Sequence, residues 1–323
     1  MITTEKMCDR KWVGIVWLWL FCAVVTAAEN GSPKTARQWL DAMVEAMQNL
    51  DYQATVVYSR ENKIQMFRLT HQVRDGVIYE NLQSLSNPLR KVIREADKVT
   101  CYFPDRRLRI EYQSRSRSLL TSMPSKWEGQ EQYYRLELGQ KGYMMGRPSQ
   151  EILIRPLDEY RYGRRIWVDG GSYLPLKFEL LDQQGNILES LAVADLKLGS
   201  EERIDPAAYL RHEDWKTIER KEGEPVNRWQ LTRLPPGFRE LYRSQRTGAG
   251  EGETVDHIVI SDGLATVSVY IKENDGKAFD SDNLKRGGVS VFSRSIQDHV
   301  ITVVGDVPMI TVRLIGEGIR PEE

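Results

Sequence analysis

Val255-Asp256-His257-Ile258-Val259-Ile260-Ser261-Asp262-Gly263-Leu264-Ala265-Thr266-Val267-Ser268-Val269-Tyr270-Ile271 decides the fold class. Two runs rich in β-branched residues flank Ser261-Asp262-Gly263. Asp-Gly readily takes the positive φ that a tight hairpin demands, so 255–260 and 264–271 are expected to pair antiparallel. Residues 289–292 and 300–304 complete that sheet, and Trp229 to Leu234 opens the group. A last helix is expected from Asp306 as N-cap with Pro308 in its first turn. Val307, Ile310, Leu314 and Ile315 would form its apolar face.

Working upstream, the same period of two recurs. Tyr52/Ala54/Val56/Tyr58, Val99/Cys101/Phe103, Leu108/Ile110/Tyr112, Tyr134/Leu136/Leu138, Leu176/Phe178/Leu180 and Ile187/Glu189/Leu191/Val193 each alternate. Between them lie the turn signals Asp75-Gly76, Asn87-Pro88, Pro104-Asp105, Gly170-Gly171 and Gln184-Gly185-Asn186. Such a succession implies an antiparallel sheet with one wet face. Ahead of it, Ala36, Trp39, Leu40, Met43, Val44 and Met47 recur at helical spacing. They predict a helix over 33–50 with Ser32 as N-cap and Pro33 at its first position.

The chain begins with Lys6, Arg10 and Lys11, then 14 mostly apolar residues from Trp12 to Val25, then Thr26-Ala27-Ala28. About 20 residues are needed to span a bilayer as a helix, so this reads as a cleaved export signal with cleavage after Ala27 or Ala28. The expected product is an exported, soluble protein of an oxidising compartment. Cys8 and Cys22 leave with the leader, so Cys101 remains alone, without a disulfide, as a small hydrophobe of the core. Without residues 1–28, 42 Lys+Arg face 44 Asp+Glu, a balance unlike that of a general nucleic-acid binder. The remaining length exceeds what one core usually serves. Residues 214–226 are polar, with only Trp215 and Ile218 as large apolar residues, and they close on Gly223-Glu224-Pro225. The expected division is a signal peptide 1–28, a large domain 29–213, a linker 214–227 and a small domain 228–323, both domains α+β.

Chemistry-bearing motifs are scarce. His71, His212, His257 and His299 have no neighbours at zinc-ligand spacing, and no glycine-rich phosphate loop is present. Gly288-Val289-Ser290-Val291-Phe292 starts like a nucleophile elbow but lacks the final glycine. Asp105, Glu111, Asp158, Glu159 and Asp169 offer carboxylate pairs that mean little without geometry. No catalytic residue, metal or cofactor is therefore expected, and the protein reads as a binding protein rather than an enzyme. The sharpest charge feature is Arg106-Arg107-Leu108-Arg109, continuing to Arg115 and Arg117. It is either the wet face of a hairpin or a mouth for anionic ligands, since arginine forks match phosphate oxygens. Tyr58, Met66, Phe103, Tyr112 and Phe178 are candidate lining residues of an apolar cavity in the large domain, or members of an ordinary filled core.

Gly146-Arg147, Ile152-Leu153-Ile154-Arg155-Pro156-Leu157-Asp158 and Tyr160-Arg161-Tyr162-Gly163-Arg164-Arg165-Ile166-Trp167-Val168-Asp169 resemble the large-domain signature of the MucB/RseB family. Tyr173-Leu174-Pro175-Leu176-Lys177 continues it. Leu234-Pro235-Pro236-Gly237-Phe238, Ser261-Asp262-Gly263-Leu264-Ala265 and Val303-Val304-Gly305-Asp306-Val307-Pro308 resemble the small domain. The resemblance runs in order along nearly all of the chain after the leader, departing at 82–91, where Asn87-Pro88 replaces a glycine-bearing turn. It implies a large domain similar to the lipoprotein carriers LolA and LolB, an unclosed antiparallel barrel with helices, and a small sheet with a C-terminal helix. It also implies a partner, the periplasmic domain of a membrane-spanning, RseA- or MucA-like anti-sigma factor. The family shields that partner from regulated proteolysis, and lipid or lipopolysaccharide releases it, so that a sigma-E- or AlgU-type envelope-stress response begins. The alternative is a periplasmic carrier of lipoprotein or lipid.

Overall fold

The computed structural model describes residues 35–86, 88–114, 123, 127–200, 203–206, 215–220, 223, 227–247, 254–274 and 283–322. The leader and its cleavage site, Ser32, Pro33, Asn87, Arg115, Arg117, His212 and much of the expected linker lie outside them. Among the described residues no helix is long and apolar enough to cross a membrane.

Helix α1 (Ala36–Asn49) starts on Thr35 rather than Ser32. The Thr35 hydroxyl accepts from the Gln38 backbone while the Gln38 side chain accepts from Thr35 N, a reciprocal cap that satisfies two otherwise orphaned donors. Its buried face is Ala36, Trp39, Leu40, Met43 and Ala46, with Val44 and Met47 half-covered, close to the periodic reading. Each large side chain buried there contributes about 1.5–3 kcal/mol.

That face covers a twelve-stranded sheet. Its strands are β1 (Tyr52–Arg60), β2 (Lys63–Arg74), β3 (Val77–Ser84), β4 (Lys91–Glu95), β5 (Lys98–Phe103), β6 (Leu108–Gln113), β7 (Tyr134–Met144), β8 (Arg147–Pro156), β9 (Gly163–Asp169), β10 (Pro175–Leu181), β11 (Ile187–Leu198) and β12 (Lys216–Arg220). The order is β12-β6-β5-β4-β3-β2-β1-β11-β10-β9-β8-β7, so β12 and β7 are free ends and the curved sheet stays unclosed. Neighbours pair antiparallel except β12, which lies parallel to β6. Part of the stretch read as a linker is therefore an edge strand. Of the five expected turns, those at 75–76, 104–105, 170–171 and 184–186 fall between strands, and the one at Asn87-Pro88 lies partly outside the described residues. Asp75 (φ 51) and Gly76 (φ 76) both take the left-handed conformation that suits a two-residue hairpin. Gly170-Gly171 is braced by Asp169, whose carboxylate accepts from Arg147 Nε (3.1 Å) and Nη2 (2.9 Å) and from Ser172 N and Oγ.

The alternation holds in β1, where Tyr52, Ala54 and Val56 are buried. It fails in β5, which buries Val99, Thr100 and Tyr102 and leaves Cys101 and Phe103 half-covered. Tyr102 is drawn inward by Trp215, edge-to-face at 5.9 Å, and by Ile93 and Ile204. Strand β3 carries a buried Glu80, paired across the ladder with Arg94 at 3.0 Å.

The remaining strands are β13 (Trp229–Leu231), β14 (Arg239–Thr247), β15 (Thr254–Ser261), β16 (Thr266–Glu273), β17 (Asn283–Arg286), β18 (Val289–Ile296), β19 (His299–Gly305) and β20 (Ile319–Pro321). Six form the sheet β14-β15-β16-β19-β18-β17, and β13 pairs with β20 in a separate ribbon. Helix α2 (Met309–Glu317) begins after Pro308, two residues later than an Asp306 cap would place it. Thr311, Val312, Ile315 and Gly316 are its buried positions, whereas Ile310 faces out. Asp306 is diverted from capping because its carboxylate accepts from Thr266 N at 3.0 Å.

Candidate functional site at the junction of the two sheets

The β15–β16 turn is built as the sequence suggests and then does more. Asp262 Oδ1 accepts from the backbone N of Leu264 (2.9 Å) and Ala265 (2.7 Å), and Gly263 takes φ +97. A turn held this firmly projects two side chains across the junction. Leu264 joins Trp127, Tyr134, Ile152, Ile166 and Val168 in the core beneath α1. Asp262 Oδ2 accepts from Tyr134 Oη and from Arg161 Nε, both at 2.7 Å.

Arg161 is fully buried and makes further bonds to the Asp158 carboxylate and the Pro236 carbonyl. Its guanidinium also lies 4.6 Å from the Tyr133 ring centre and 4.9 Å from that of Phe238. Burial opposes its charge, but the bonds to Asp158 and Asp262 outweigh this and raise its pKa. The Tyr134 hydroxyl is pushed well above its usual range, by burial first and by the Asp262 charge second. Nearby, Arg164 Nη2 donates to the Leu264 carbonyl at 2.7 Å and lies 3.4 Å from Asp306. Burial raises the Asp306 pKa although Arg164 pulls the other way. Thr311 of α2 donates to the Tyr160 carbonyl at 2.7 Å.

A second seam lies at Glu189 of β11. Its Oε2 accepts from Tyr58 Oη (2.6 Å) and its Oε1 from Gly288 N (3.0 Å), while Gly287 N donates to Glu61. The turn carrying Gly287 and Gly288 lies so close that a Cβ on Gly288 would collide with Leu180. Burial, then the bond to Glu189, raises the Tyr58 pKa. Between the seams is a cavity of about 200 Å³ whose walls include Tyr58, Arg164, Phe178, Leu191, Glu189 and Asp306. Phe178 and Leu191 also wall a pocket of about 30 Å³ under α1, lined by Met47, Val56 and Leu69 among others.

Of the residues expected from sequence, Tyr58 and Phe178 meet at this cavity. Met66 on β2 is exposed, and Phe103 and Tyr112 sit on β5 and β6; none of the three lines either cavity. Arg106 and Arg107 are exposed in the β5–β6 turn, Arg107 at φ 43. Arg109 donates to Thr217 Oγ1 at 2.7 Å and lies 3.7 Å from Glu111, so part of its charge is committed within the sheet. Sequence reasoning did not single out Arg161, Glu189 or Asp306 as site residues, because partners a hundred residues apart leave no local spacing. Their traces were indirect: Arg161, Asp262 and Asp306 fell inside the stretches that carried the family resemblance, Asp306 was expected as a helix cap, and Glu189 stood as a charged residue in an alternating run.

Two unequal sheets, antiparallel but for the edge strand β12, each carrying one helix and the smaller keyed into the larger through a hairpin tip, define a two-part α+β protein whose cavities lie at and beside the junction. Among the described residues no three His, Cys, Asp or Glu side chains gather to hold a metal. Residues 35–219 match the MucB/RseB N-terminal domain and residues 223–320 the MucB/RseB C-terminal domain, so the chain belongs to the MucB/RseB family. It is 28% identical over 295 residues to the sigma factor AlgU regulatory protein MucB of Pseudomonas aeruginosa, covering 89% of this chain and 91% of that one. The sigma-E factor regulatory protein RseB of Escherichia coli is 24% identical over 318 residues, covering 94% and 98%. The crystal structure of MucB in complex with MucA(peri) superposes with a TM-score of 0.70 at 26% identity, covering 89% of this chain and 99% of that one. The Pseudomonas aeruginosa MucA/MucB complex gives 0.71 at the same identity and coverage.

Proposed function

We propose that this protein acts in the periplasm as a negative regulator that binds the periplasmic domain of a membrane-spanning anti-sigma factor and shields it from regulated proteolysis. An amphiphile of lipid or lipopolysaccharide type then releases the partner and starts an envelope-stress response. One observation carries the reading: a match to both family domains, together with the likeness to a MucB structure that holds MucA(peri). The division at 214–227 into two functional parts belongs to the same proposal. A ligand alters partner binding only if it has unequal affinity for the bound and free conformations.

The competing reading, a lipid or lipoprotein carrier, needs only the large sheet and its helix. The six-stranded sheet keyed into it favours a second binding surface. Titration with an anti-sigma-factor periplasmic domain and, separately, with an acylated lipoprotein distinguishes the two. Tight binding of the former, weakened by added lipid, is the expected result. Binding of the lipoprotein alone would replace the regulator by the carrier.

A further inference from the structure

We propose that His71 is an acid-sensitive latch: its neutral ring holds the end of α1 on the large sheet, and a protonated ring lets that end lift. The observation is its place in the fold. His71 of β2 is 1% exposed, and its Nδ1 donates to the carbonyl of Leu50, the C-cap of α1, at 2.8 Å. A carbonyl only accepts, so Nδ1 carries the hydrogen and an added proton goes to Nε2. The ring also lies flat against Tyr52 of β1, with 5.0 Å between centres and 11° between planes. Ala46, Met47 and Leu50, at the end of α1, pack with Tyr52 and Leu69. One imidazole therefore joins the last turn of the helix to the first two strands.

A charge on this ring is opposed by its surroundings. From α1 comes no charge, since the buried face of the helix is Ala36, Trp39, Leu40, Met43 and Ala46. From β1 comes the Tyr52 hydroxyl, whose own ionisation is suppressed by burial first and by Glu80 second. Glu80 of β3 stands opposite His71 in the ladder but is bound to Arg94 of β4 at 3.0 Å. Asp51 favours the charged ring, with its Oδ1 taken by Val73 N at 2.8 Å. Burial outweighs both Asp51 and the bond to Leu50, Arg94 adds to it, and the pKa falls below the ordinary 6.5. Once the end of α1 lifts, the ring meets water and titrates at about 6.5. The lifted form then takes the proton first as pH falls. The latch is fully present above 6.5 and is lost as pH drops from there through the folded value. Such a lift uncovers the pocket beneath α1 walled by Met47, Tyr52, Ala54 and Leu69.

The latch needs neither ligand nor partner, so it stands or falls apart from the proposed function. Hydrogen exchange of the chain from residue 29 onward is followed between pH 7.5 and 5.5 and corrected for the intrinsic rate at each pH. Below pH 6.5 the opening equilibrium of amides 46–50 should rise by up to about tenfold per pH unit, the linkage of one proton. Amides of β15 and β16 should not follow it. His71→Gln keeps a donor and cannot take the charge, so it should flatten the rise, whereas His257→Gln and His299→Gln should leave it intact. Should His71→Gln fail to fold, NMR titration of the His71 ring in the unaltered chain decides, with a pKa below 6.5 expected. A ring that titrates at or above 6.5, no rise at 46–50, the same rise in His71→Gln, or an equal rise in β15 and β16 would each overturn the proposal.

Discussion

Arg161 and Asp262 stand 101 residues apart in the chain and 2.7 Å apart in the fold, with neither side chain exposed. One belongs to the large sheet's side of the junction and the other to the hairpin tip of the small sheet. Breaking a buried pair leaves its other half charged and unpartnered, which typically costs about 3–5 kcal/mol. Asp262→Asn should therefore lower the stability of the protein by about that much in urea unfolding. The double variant Arg161→Met, Asp262→Leu should recover part of the loss. A change under 1 kcal/mol in the single variant would mean that the pair is dispensable.

Two aspartates should move the pH dependence of stability in opposite directions. Asp306 has a folded pKa above its ordinary 3.8 because burial disfavours its charge. The unfolded chain then ionises first as pH rises, so Asp306 removes stability from about pH 3.8 up through its folded value and fully above it. Burial also works against the charge of Asp169, but the bonds from Arg147 and Ser172 win and set its pKa below 3.8. Its contribution is present above that value and is lost as pH falls through the folded one. At neutral pH, Asp306→Asn should raise the melting temperature and Asp169→Asn should lower it. Both differences should fade at strongly acid pH, and two shifts of the same sign would refute the assignment.

Gly263 and Gly237 should not tolerate a side chain. Both have positive φ, +97 and +79, and a Cβ would strike Gln130 in the first case and the Tyr133 ring in the second. Alanine at a positive-φ position destabilises by more than about 0.4–1 kcal/mol even without a clash. Each Gly→Ala variant should exceed that range in chemical denaturation.

Much of the fold was legible because it is local. The helical face of α1, the turns at 75–76, 104–105, 170–171 and 184–186 and the β15–β16 hairpin each depend on residues within a few positions of one another, whereas the cap was expected at Ser32 and the capping box at Thr35 was missed. The face of β5 was misread because Tyr102 is recruited by Trp215, which arrives from a distant strand. Tyr58 and Phe178 line the cavity between the seams, and alternation brought them forward because it places bulky groups on one face. Met66, Phe103 and Tyr112 satisfied the same rule without lining either cavity, since a period of two says which face a residue takes but not where along a curved sheet it sits. Glu189 was read as a charged interruption in a strand, when it is the acceptor for both Tyr58 and Gly288.

Limited proteolysis should cut after β12, between 221 and 226, rather than before it, because 216–220 is hydrogen-bonded to β6. The nicked halves should elute together from a sizing column, held by Asp262, Leu264 and the Glu189 seam. Cleavage within 216–220 ahead of 221–226, or separation of the halves without denaturant, would contradict this account.

The place of Leu264 has a consequence for the order of assembly. A polypeptide made from its N-terminus delivers α1 and the twelve strands of the large sheet before residue 264 emerges. Trp127, Ile152 and Ile166 share one core with Leu264, so that core lacks one of its members until then. The large sheet can be drawn up early, but its interior is finished only by a tip supplied from the last quarter of the chain. A truncated or stalled product would therefore carry an open greasy seam, and completion of the protein is recorded in the core of its first half.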